Sequence, residues 1–173
     1  MHEAANSGPA DEVRLAELIA ALSLALDLGM GQPLEQALRT CLLSVRLAER
    51  VGLGSREQTQ VYYVALLRFL GCTADAHETA AIVGGDELAF RATIAPVLGG
   101  AQHELLARVV THLGRDQGPL QRAQIVGGFL RHGAQIREGA RAHCELAERL
   151  AARLGLDQGV RLGLAHALER WDG

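Results

Sequence analysis

Lysine is absent from the 173 residues, and all 17 basic residues are arginine. Only six residues are aromatic and three are cysteine, and the cysteines lie far apart without a CxxC pair. This cysteine pattern excludes a disulfide framework and a zinc ribbon, and it suits a reducing compartment. Sparse β-branched residues argue against a β-sandwich or a β-barrel. No run of 18 uncharged apolar residues occurs, so the sequence predicts no membrane span.

Leucine and alanine dominate what is present, and together they make up 57 of the 173 residues. Both favour helices, so the composition predicts an all-α protein. The length suits one domain that buries its core without a disulfide or a metal. The formal net charge of −3 argues against nucleic-acid binding by this chain. We therefore expect a cytoplasmic protein with residues 1–11 as a mobile tail and residues 12–173 as one helical domain.

Hydrophobic periodicity and helix stop signals predict a bundle of about eight or nine helices. Ser55 and Gln58 form an S-x-x-Q pattern, which predicts a capping box at the start of the third helix. In the second helix the apolar positions are expected to face inward: Leu34, Leu38, Cys41, Leu42, Val45 and Ala48. The predicted helices span residues 12–28, 33–51, 55–70, 75–83, 86–97, 102–113, 119–131, 134–154 and 157–171.

The first predicted helix is apolar around nearly its whole circumference. Its main stripe runs through Leu15, Leu18, Ile19, Leu22 and Leu26, and several alanines with Leu24 widen it. Such a helix is either central in a bundle or shared with a partner subunit. Leu15–Leu28 is therefore a candidate surface for a homodimer.

Common catalytic and phosphate-binding motifs are missing. The sequence has no GxGxxG or GxxxxGK[ST] loop, no GxSxG elbow and no HExxH helix. Neighbouring His143 and Cys144 point about 100° apart on a helix, so they do not share one ion easily. The remaining histidines are interpreted as surface or capping residues: His2, His77, His103, His112, His132 and His166.

Four strings nevertheless resemble one enzyme family. PLEQALRT at residues 33–40 and ALLRFLGC at residues 65–72 resemble the core of the HD-domain metal phosphohydrolases. RAHCELA at residues 141–147 and ERWDG at residues 169–173 resemble its HD-GYP branch. In that family, imidazoles and carboxylates from several helices hold transition-metal ions, which activate a water and bind phosphate. The resemblance implies an HD-like helical bundle and covers about residues 16–173.

The residues at the family's ligand positions differ from the family pattern. The first histidine falls on Gln36, the His-Asp pair on Arg68 and Phe69, and the lysine on Cys72. The two histidines before ERWDG fall on Ala167 and Leu168, with His166 one place away, and only His143 matches. Such side chains do not bind a divalent metal, and one histidine does not hold it alone. The resemblance therefore implies a vestigial pocket without catalytic residues, metal or cofactor: Gln36, Arg68, Phe69, Cys72, His143 and Glu169.

Arg68 stands where the family has a metal-binding histidine. Because an unpaired buried charge is costly, we expect Arg68 to pair with a carboxylate or to point to solvent. The carboxylates nearest by family topology are those of Glu78, Glu145 and Glu169. In the functional version of this hypothesis, the arginine replaces the metal charge and receives an anionic ligand in bidentate fashion.

Three functions remain open from the sequence. The preferred one is a catalytically inactive regulatory or interaction domain that senses a small anionic ligand. The LRFLGC string resembles N-terminal modules of LuxR-like transcription regulators, so this domain is expected to serve such a regulator. The first alternative is an active phosphohydrolase of the cyclic-dinucleotide phosphodiesterase type, in which His143 acts with His166, His77 or Asp75. The second alternative is a purely structural dimerisation module.

Overall fold

The computed structural model describes residues 14–71, 76–97 and 100–169, and these residues form nine α-helices and one short 3₁₀ helix. The all-α prediction with eight or nine helices is confirmed. No described helix is long and apolar enough to cross a membrane. The predicted tail at residues 1–11 lies outside the described residues. The helices are α1 (Leu15–Gly29), α2 (Gln36–Arg50), α3 (Ser55–Leu67), α4 (Ala76–Val83), α5 (Glu87–Ile94), the 3₁₀ helix (Ala95–Val97), α6 (Gln102–His112), α7 (Pro119–Arg131), α8 (Gly133–Arg153) and α9 (Gln158–Ala165).

Local sequence signals explain several helix starts. The carboxylate of Asp86 accepts a hydrogen bond from the backbone N–H of Ala89 at 2.9 Å and caps α5. Asp157 caps α9 in the same way through Val160 at 3.0 Å. Pro119 occupies the first turn of α7, where a missing N–H costs nothing. The two aspartate side chains accept hydrogen bonds from backbone N–H groups that have no partner within the first turn of a helix.

Three local predictions are wrong. Gly54, not Ser55, caps α3, and the Gln58 side chain donates to the carbonyl of Leu53 instead of closing a capping box. Leu34 and Leu42 of the second predicted helix are exposed, not inward-facing. The last helix ends at Ala165 because His166 leaves the helical conformation, so the predicted extension to residue 171 does not form within the described residues.

A first cluster of buried side chains joins α1, α2, α3, α8 and α9. Among its members, Leu66, Leu67 and Leu164 are almost completely buried. Small residues of α8, Ala147 and Ala151, let that helix pack closely on the others. This first cluster holds the two ends of the described chain together.

A second cluster is formed by α4, α5, α6 and α7, which follow one another in the sequence. Its buried residues are Val83, Phe90, Val109, Leu113 and Phe129. The rings of Phe90 and Phe129 meet edge to face, with their centroids 5.6 Å apart. Such an aromatic pair adds to the stabilisation that burial alone provides.

The turn after α1 connects the two clusters. Met30 is buried, and its sulfur accepts a hydrogen bond from the guanidinium of Arg91 at 3.5 Å. Arg91 is itself buried on α5 and forms an ion pair with Glu87. A side chain at Gly31 would lie 2.7 Å from the carbonyl oxygen of Leu88, so the turn requires glycine there.

The described residues cover one side of helix α1 and leave its other side exposed. Ile19, Ser23 and Leu26 are buried, whereas Leu18 and Leu22 are 56% and 42% exposed. Ala21, Ala25 and Leu28 extend the exposed side. The interpretation of α1 as a central helix is therefore wrong for the part of the chain that the structure describes.

Candidate functional site

The end of α3 presents Arg68 and Phe69 beside the first cluster. Three consecutive buried residues, Ala65 to Leu67, fix the last turn of the helix. Immediately after it, the guanidinium carbon of Arg68 lies 4.2 Å from the centroid of the Phe69 ring. This distance is typical of a cation–π contact. Arg68 is half-buried, and its Nε is fully buried, so this arginine does not extend freely into solvent.

Helix α8 passes directly against the turn that follows Phe69. A Cβ atom at Gly71 would lie 2.1 Å from the carbonyl oxygen of His143, so only glycine allows this approach. Gly71 is buried, and so is Nε2 of His143. The turn that directly follows Arg68 and Phe69 therefore packs against the backbone of His143.

The C-terminal end of α9 meets α8 at Cys144. Burial raises the pKa of the Cys144 thiol, while hydrogen bonds from the backbone N–H groups of Leu168 and Ala167 oppose this shift. The nearby carboxylate of Glu169 raises the same pKa further. Glu169 also contacts His166, with Oε1 2.5 Å from Nδ1. Ala167 and Leu168, which align with the two histidines that the family has before ERWDG, therefore lie beside Cys144, the residue after His143.

Gln36 belongs to the same end of the bundle. Helices α2 and α3 form an antiparallel hairpin, in which the thiol of Cys41 donates to the carbonyl of Tyr62 at 3.6 Å. Gln36 precedes Cys41 by five residues, and Arg68 follows Tyr62 by six. Because the two helices run in opposite directions, this register places Gln36 at the level of Arg68 and Phe69. Cys72, the sixth predicted pocket residue, lies outside the described residues.

The N-terminus of α2 already has an internal anion. The wholly buried carboxylate of Asp27 accepts the backbone N–H of Ala37, at 3.1 Å and 3.2 Å from its two oxygens. A carboxylate here is favoured by the helix dipole. This helix end is therefore not open to a ligand. Asp27 was not predicted from the sequence, although an acid within the apolar second half of this helix was a usable signal.

The side chains that the resemblance aligns with the family's metal positions do not by themselves fit a divalent metal. Gln36 offers an amide, Arg68 a cation and Phe69 no donor, which leaves the imidazole of His143. Among the described residues, no group of three or more histidine, cysteine, aspartate or glutamate side chains is arranged to hold a metal ion. His166 is exposed and contacts Glu169, and His77 is exposed on α4.

Two of the carboxylates expected near Arg68 have other contacts. Glu145 forms an ion pair with Arg149 at 3.2 Å, and Glu169 contacts His166. The residues that sequence reasoning missed at this end are Gly71 and Cys144. A signal for Cys144 was its position directly after His143, whereas the approach of Gly71 depends on tertiary packing.

The amino-acid sequence is similar to that of one characterised enzyme. No protein-family model and no solved structure matches the chain significantly. The chain is 25% identical over 160 residues to 3'3'-cGAMP-specific phosphodiesterase 3 of Vibrio cholerae. The aligned region covers 92% of this chain and spans 35% of that enzyme. This similarity supports a relationship to the HD-type phosphohydrolases.

Proposed function

We propose that the chain is a catalytically inactive HD-like domain that acts as a regulatory module. The observation that carries this proposal is the set of side chains at the bundle end where the family binds metal. An amide, a guanidinium and a phenyl group stand there, and a lone imidazole remains. Since the related phosphodiesterase spans a much longer chain, its activity and substrate are not transferred to this one.

Arg68 supports a binding role for the same bundle end. Its guanidinium is held against the Phe69 ring at 4.2 Å, and its Nε is buried. A fixed guanidinium presents two parallel donors to a phosphate or a carboxylate. The domain then senses a small anionic ligand, and we propose that it passes this signal to a linked transcription regulator. Its cytoplasmic location is part of the same proposal.

Metal analysis and hydrolysis assays test the loss of catalysis. We expect the purified chain to carry no stoichiometric manganese, iron, nickel or zinc after incubation with each ion. We also expect it to leave 3'3'-cGAMP and simple phosphodiesters intact. One or more metal ions per chain, lost on His143→Ala, together with hydrolysis, would replace this proposal with the active phosphohydrolase.

Titration calorimetry tests ligand binding separately, with inorganic phosphate and 3'3'-cGAMP as the probes. We expect binding of at least one probe, weakened about tenfold or more by Arg68→Gln because a charge-assisted hydrogen bond is lost. Arg153→Gln is the matched control, because Arg153 is exposed at the end of α8. Absence of binding, or equal losses in both variants, would refute the sensing role.

A second candidate function, dimerisation, is favoured by the exposed side of α1. Leu18, Leu22 and Leu28 are each at least 42% exposed, with Ala21 and Ala25 between them. Exposed apolar patches of this kind often mark protein contacts. Between Leu18 and Leu28 the one charged residue, Asp27, is buried, and the exposed Glu17 at the start of α1 is paired with Arg14. We propose a homodimer in which α1 packs against α1 of the partner.

Light scattering at micromolar concentration tests the dimer. Leu22→Asp is expected to give a monomer with unchanged helicity, because Leu22 is on the exposed side. Leu130→Asp on α7 is the control, since Leu130 is a similarly exposed leucine, at 55%, on another helix. Leu26→Asp is unsuitable, because Leu26 is 7% exposed and its loss disrupts the core. A monomeric unmodified chain would exclude the dimer.

A further inference from the structure

A small cavity lies in the second cluster, away from the bundle end described above. Its volume is about 160 Å³, and it lies between α4, α5, α6 and α7. Its inner wall is apolar and is formed by the core residues Val83, Phe90, Val109, Leu113 and Ile125. None of the described residues at the HD-like bundle end lines it.

The mouth of the cavity carries charges of both signs. Asp86, Arg115 and Asp116 line it, together with His112. One oxygen of Asp86 caps α5, and no other hydrogen bond of this carboxylate occurs among the described residues. Within the same residues, Arg115 and Asp116 form no ion pair with each other or with a third group. The mouth therefore has two carboxylates and one guanidinium available to a ligand.

His112 lies at the same mouth. Its Nδ1 lies 2.7 Å from the hydroxyl of Thr111 and 3.1 Å from the carbonyl oxygen of Arg108, and both groups belong to its own helix. Because Nδ1 is engaged within α6, the charge of the mouth is that of the two carboxylates and Arg115.

Size and polarity together restrict the ligand. An apolar cavity of roughly 150 Å³ holds a single six-membered ring. A branched aliphatic side chain is of similar size, whereas a nucleotide is far too large. The charged mouth matches a molecule whose polar end carries an ammonium group toward the carboxylates and a carboxylate toward Arg115. Pockets that combine an apolar interior with a few polar groups are the usual form of small-molecule sites.

We propose that this cavity binds a small apolar α-amino acid, with its side chain in the apolar interior and its zwitterionic end at Asp86, Asp116 and Arg115. This site is separate from the anion site at Arg68. The second cluster then carries a ligand of its own, and the inference does not depend on whether the HD-like end is inactive.

Chemical-shift perturbation in NMR spectra of the full 173-residue chain tests the proposal. The probes are L-phenylalanine and L-leucine, with phenethylamine and 3-phenylpropionate as analogues that lack the carboxylate or the ammonium group. We expect saturable shifts at residues of α5 and α6 with an amino acid. Each analogue is expected to bind about tenfold more weakly, because one charge-assisted contact is lost.

Substitutions of the charged residues at the mouth of the cavity test which of them contact the amino acid. Asp116→Asn and Arg115→Gln are expected to weaken amino-acid binding about tenfold each. Asp86→Asn is expected to act similarly while it preserves the cap of α5, because asparagine is an equally good capping residue. Glu49→Gln on the exposed side of α2 is the control. Ile125→Phe is expected to abolish binding by filling the interior, and thermal unfolding checks that this variant still folds.

Three results would overturn the proposal. They are the absence of saturable shifts with either amino acid, equal binding of the two analogues and the amino acid, and unchanged affinity in the three mouth variants. Each of them leaves the proposed function at Arg68 untouched, since phosphate and 3'3'-cGAMP report on that site independently.

Discussion

The first cluster is assembled from the two ends of the described chain, whereas the second is assembled from helices that are consecutive in the sequence. In the first, α1 to α3 pack against α8 and α9, and several side chains are almost completely buried. The second uses the shorter run from α4 to α7, and a cavity remains beside its core residues. The comparison indicates that the most deeply buried side chains lie beside the residues of the HD-like resemblance, and that the segment between the two chain ends leaves room for a cavity.

Truncation of one leucine in each cluster tests the difference in packing. Leu164→Ala in the first cluster is expected to lower the free energy of unfolding by about 2–5 kcal/mol. Leu113→Ala in the second is expected to fall at the lower end of that range, because Leu113 already borders a cavity and has fewer contacts to lose. Urea unfolding at a fixed protein concentration measures both changes. Equal losses would show that the clusters are packed alike.

A methyl group added at two glycines is expected to have opposite effects. Gly71→Ala places a Cβ against the backbone of His143 in the first cluster, so we expect a destabilisation of about 1–3 kcal/mol. Gly128→Ala on α7 meets no atom within 4 Å, and a helical alanine in place of glycine is expected to stabilise by about 0.5–1 kcal/mol. The same urea titration distinguishes them. A neutral Gly71→Ala would mean that α8 does not approach the end of α3 this closely.

The buried cap of α2 provides a test within the first cluster. Asp27→Ala removes the acceptor for the N–H of Ala37, and an unsatisfied buried donor costs about 1–3 kcal/mol. Asp27→Asn retains an oxygen at the same place and is expected to lose less. Thermal unfolding of both variants measures this difference. If alanine and asparagine behave alike, the carboxylate is not the cap that holds α2.

The smallest expected effect is a pH dependence at the contact between α3 and α9. The hydrogen bond from Gln60 lowers the pKa of Asp157 most, with the Val160 N–H and Arg56 adding to it. Because this pKa is lower in the folded than in the unfolded chain, the ionised carboxylate stabilises the fold. The contribution is present above the unfolded pKa and is lost as the pH falls through the folded pKa. The unmodified chain should therefore lose stability relative to Asp157→Asn below pH about 4.

Thermal unfolding of the two proteins from pH 7 to pH 3 checks this dependence. The difference between their midpoints is the quantity to follow, because other carboxylates titrate in both proteins alike. Asparagine keeps the cap on α9, so the comparison isolates the charge. A difference that stays constant with pH would show that Asp157 has an ordinary pKa in the folded chain.

Local features of the fold could be predicted from the sequence, and contacts between distant segments could not. The bounds of α7 agree with the prediction because Pro119 and the residues after Arg131 mark them locally. The inward face predicted for α2 is partly wrong because periodicity does not tell which side of a leucine-rich helix is covered, and Leu42 is on the open side. The approach of Gly71 to His143 joins segments some 70 residues apart, and no local pattern encodes it.

The candidate site shows the same division between local and distant information. The motif resemblance named Arg68, Phe69, His143 and Glu169. In the structure Arg68 contacts Phe69, the turn after Phe69 packs against the backbone of His143, and Glu169 lies near Cys144. The stacking of Arg68 on Phe69 was not predicted, because neighbouring side chains contact each other only where a helix has ended. The cavity of the second cluster was missed altogether, since it depends on how four helices leave space between them.

The discontinuous first cluster has a consequence for synthesis of the chain. Leu66 and Leu67 leave the ribosome about 80 residues before Ala147, the α8 residue in their cluster. At roughly 5–20 residues per second, this delay is on the order of ten seconds. During that time α1 to α3 expose apolar surface that their final partners do not yet cover, while α4 to α7 can fold from neighbouring segments. The apolar surface of α1 to α3 is therefore most exposed to aggregation during this interval of synthesis.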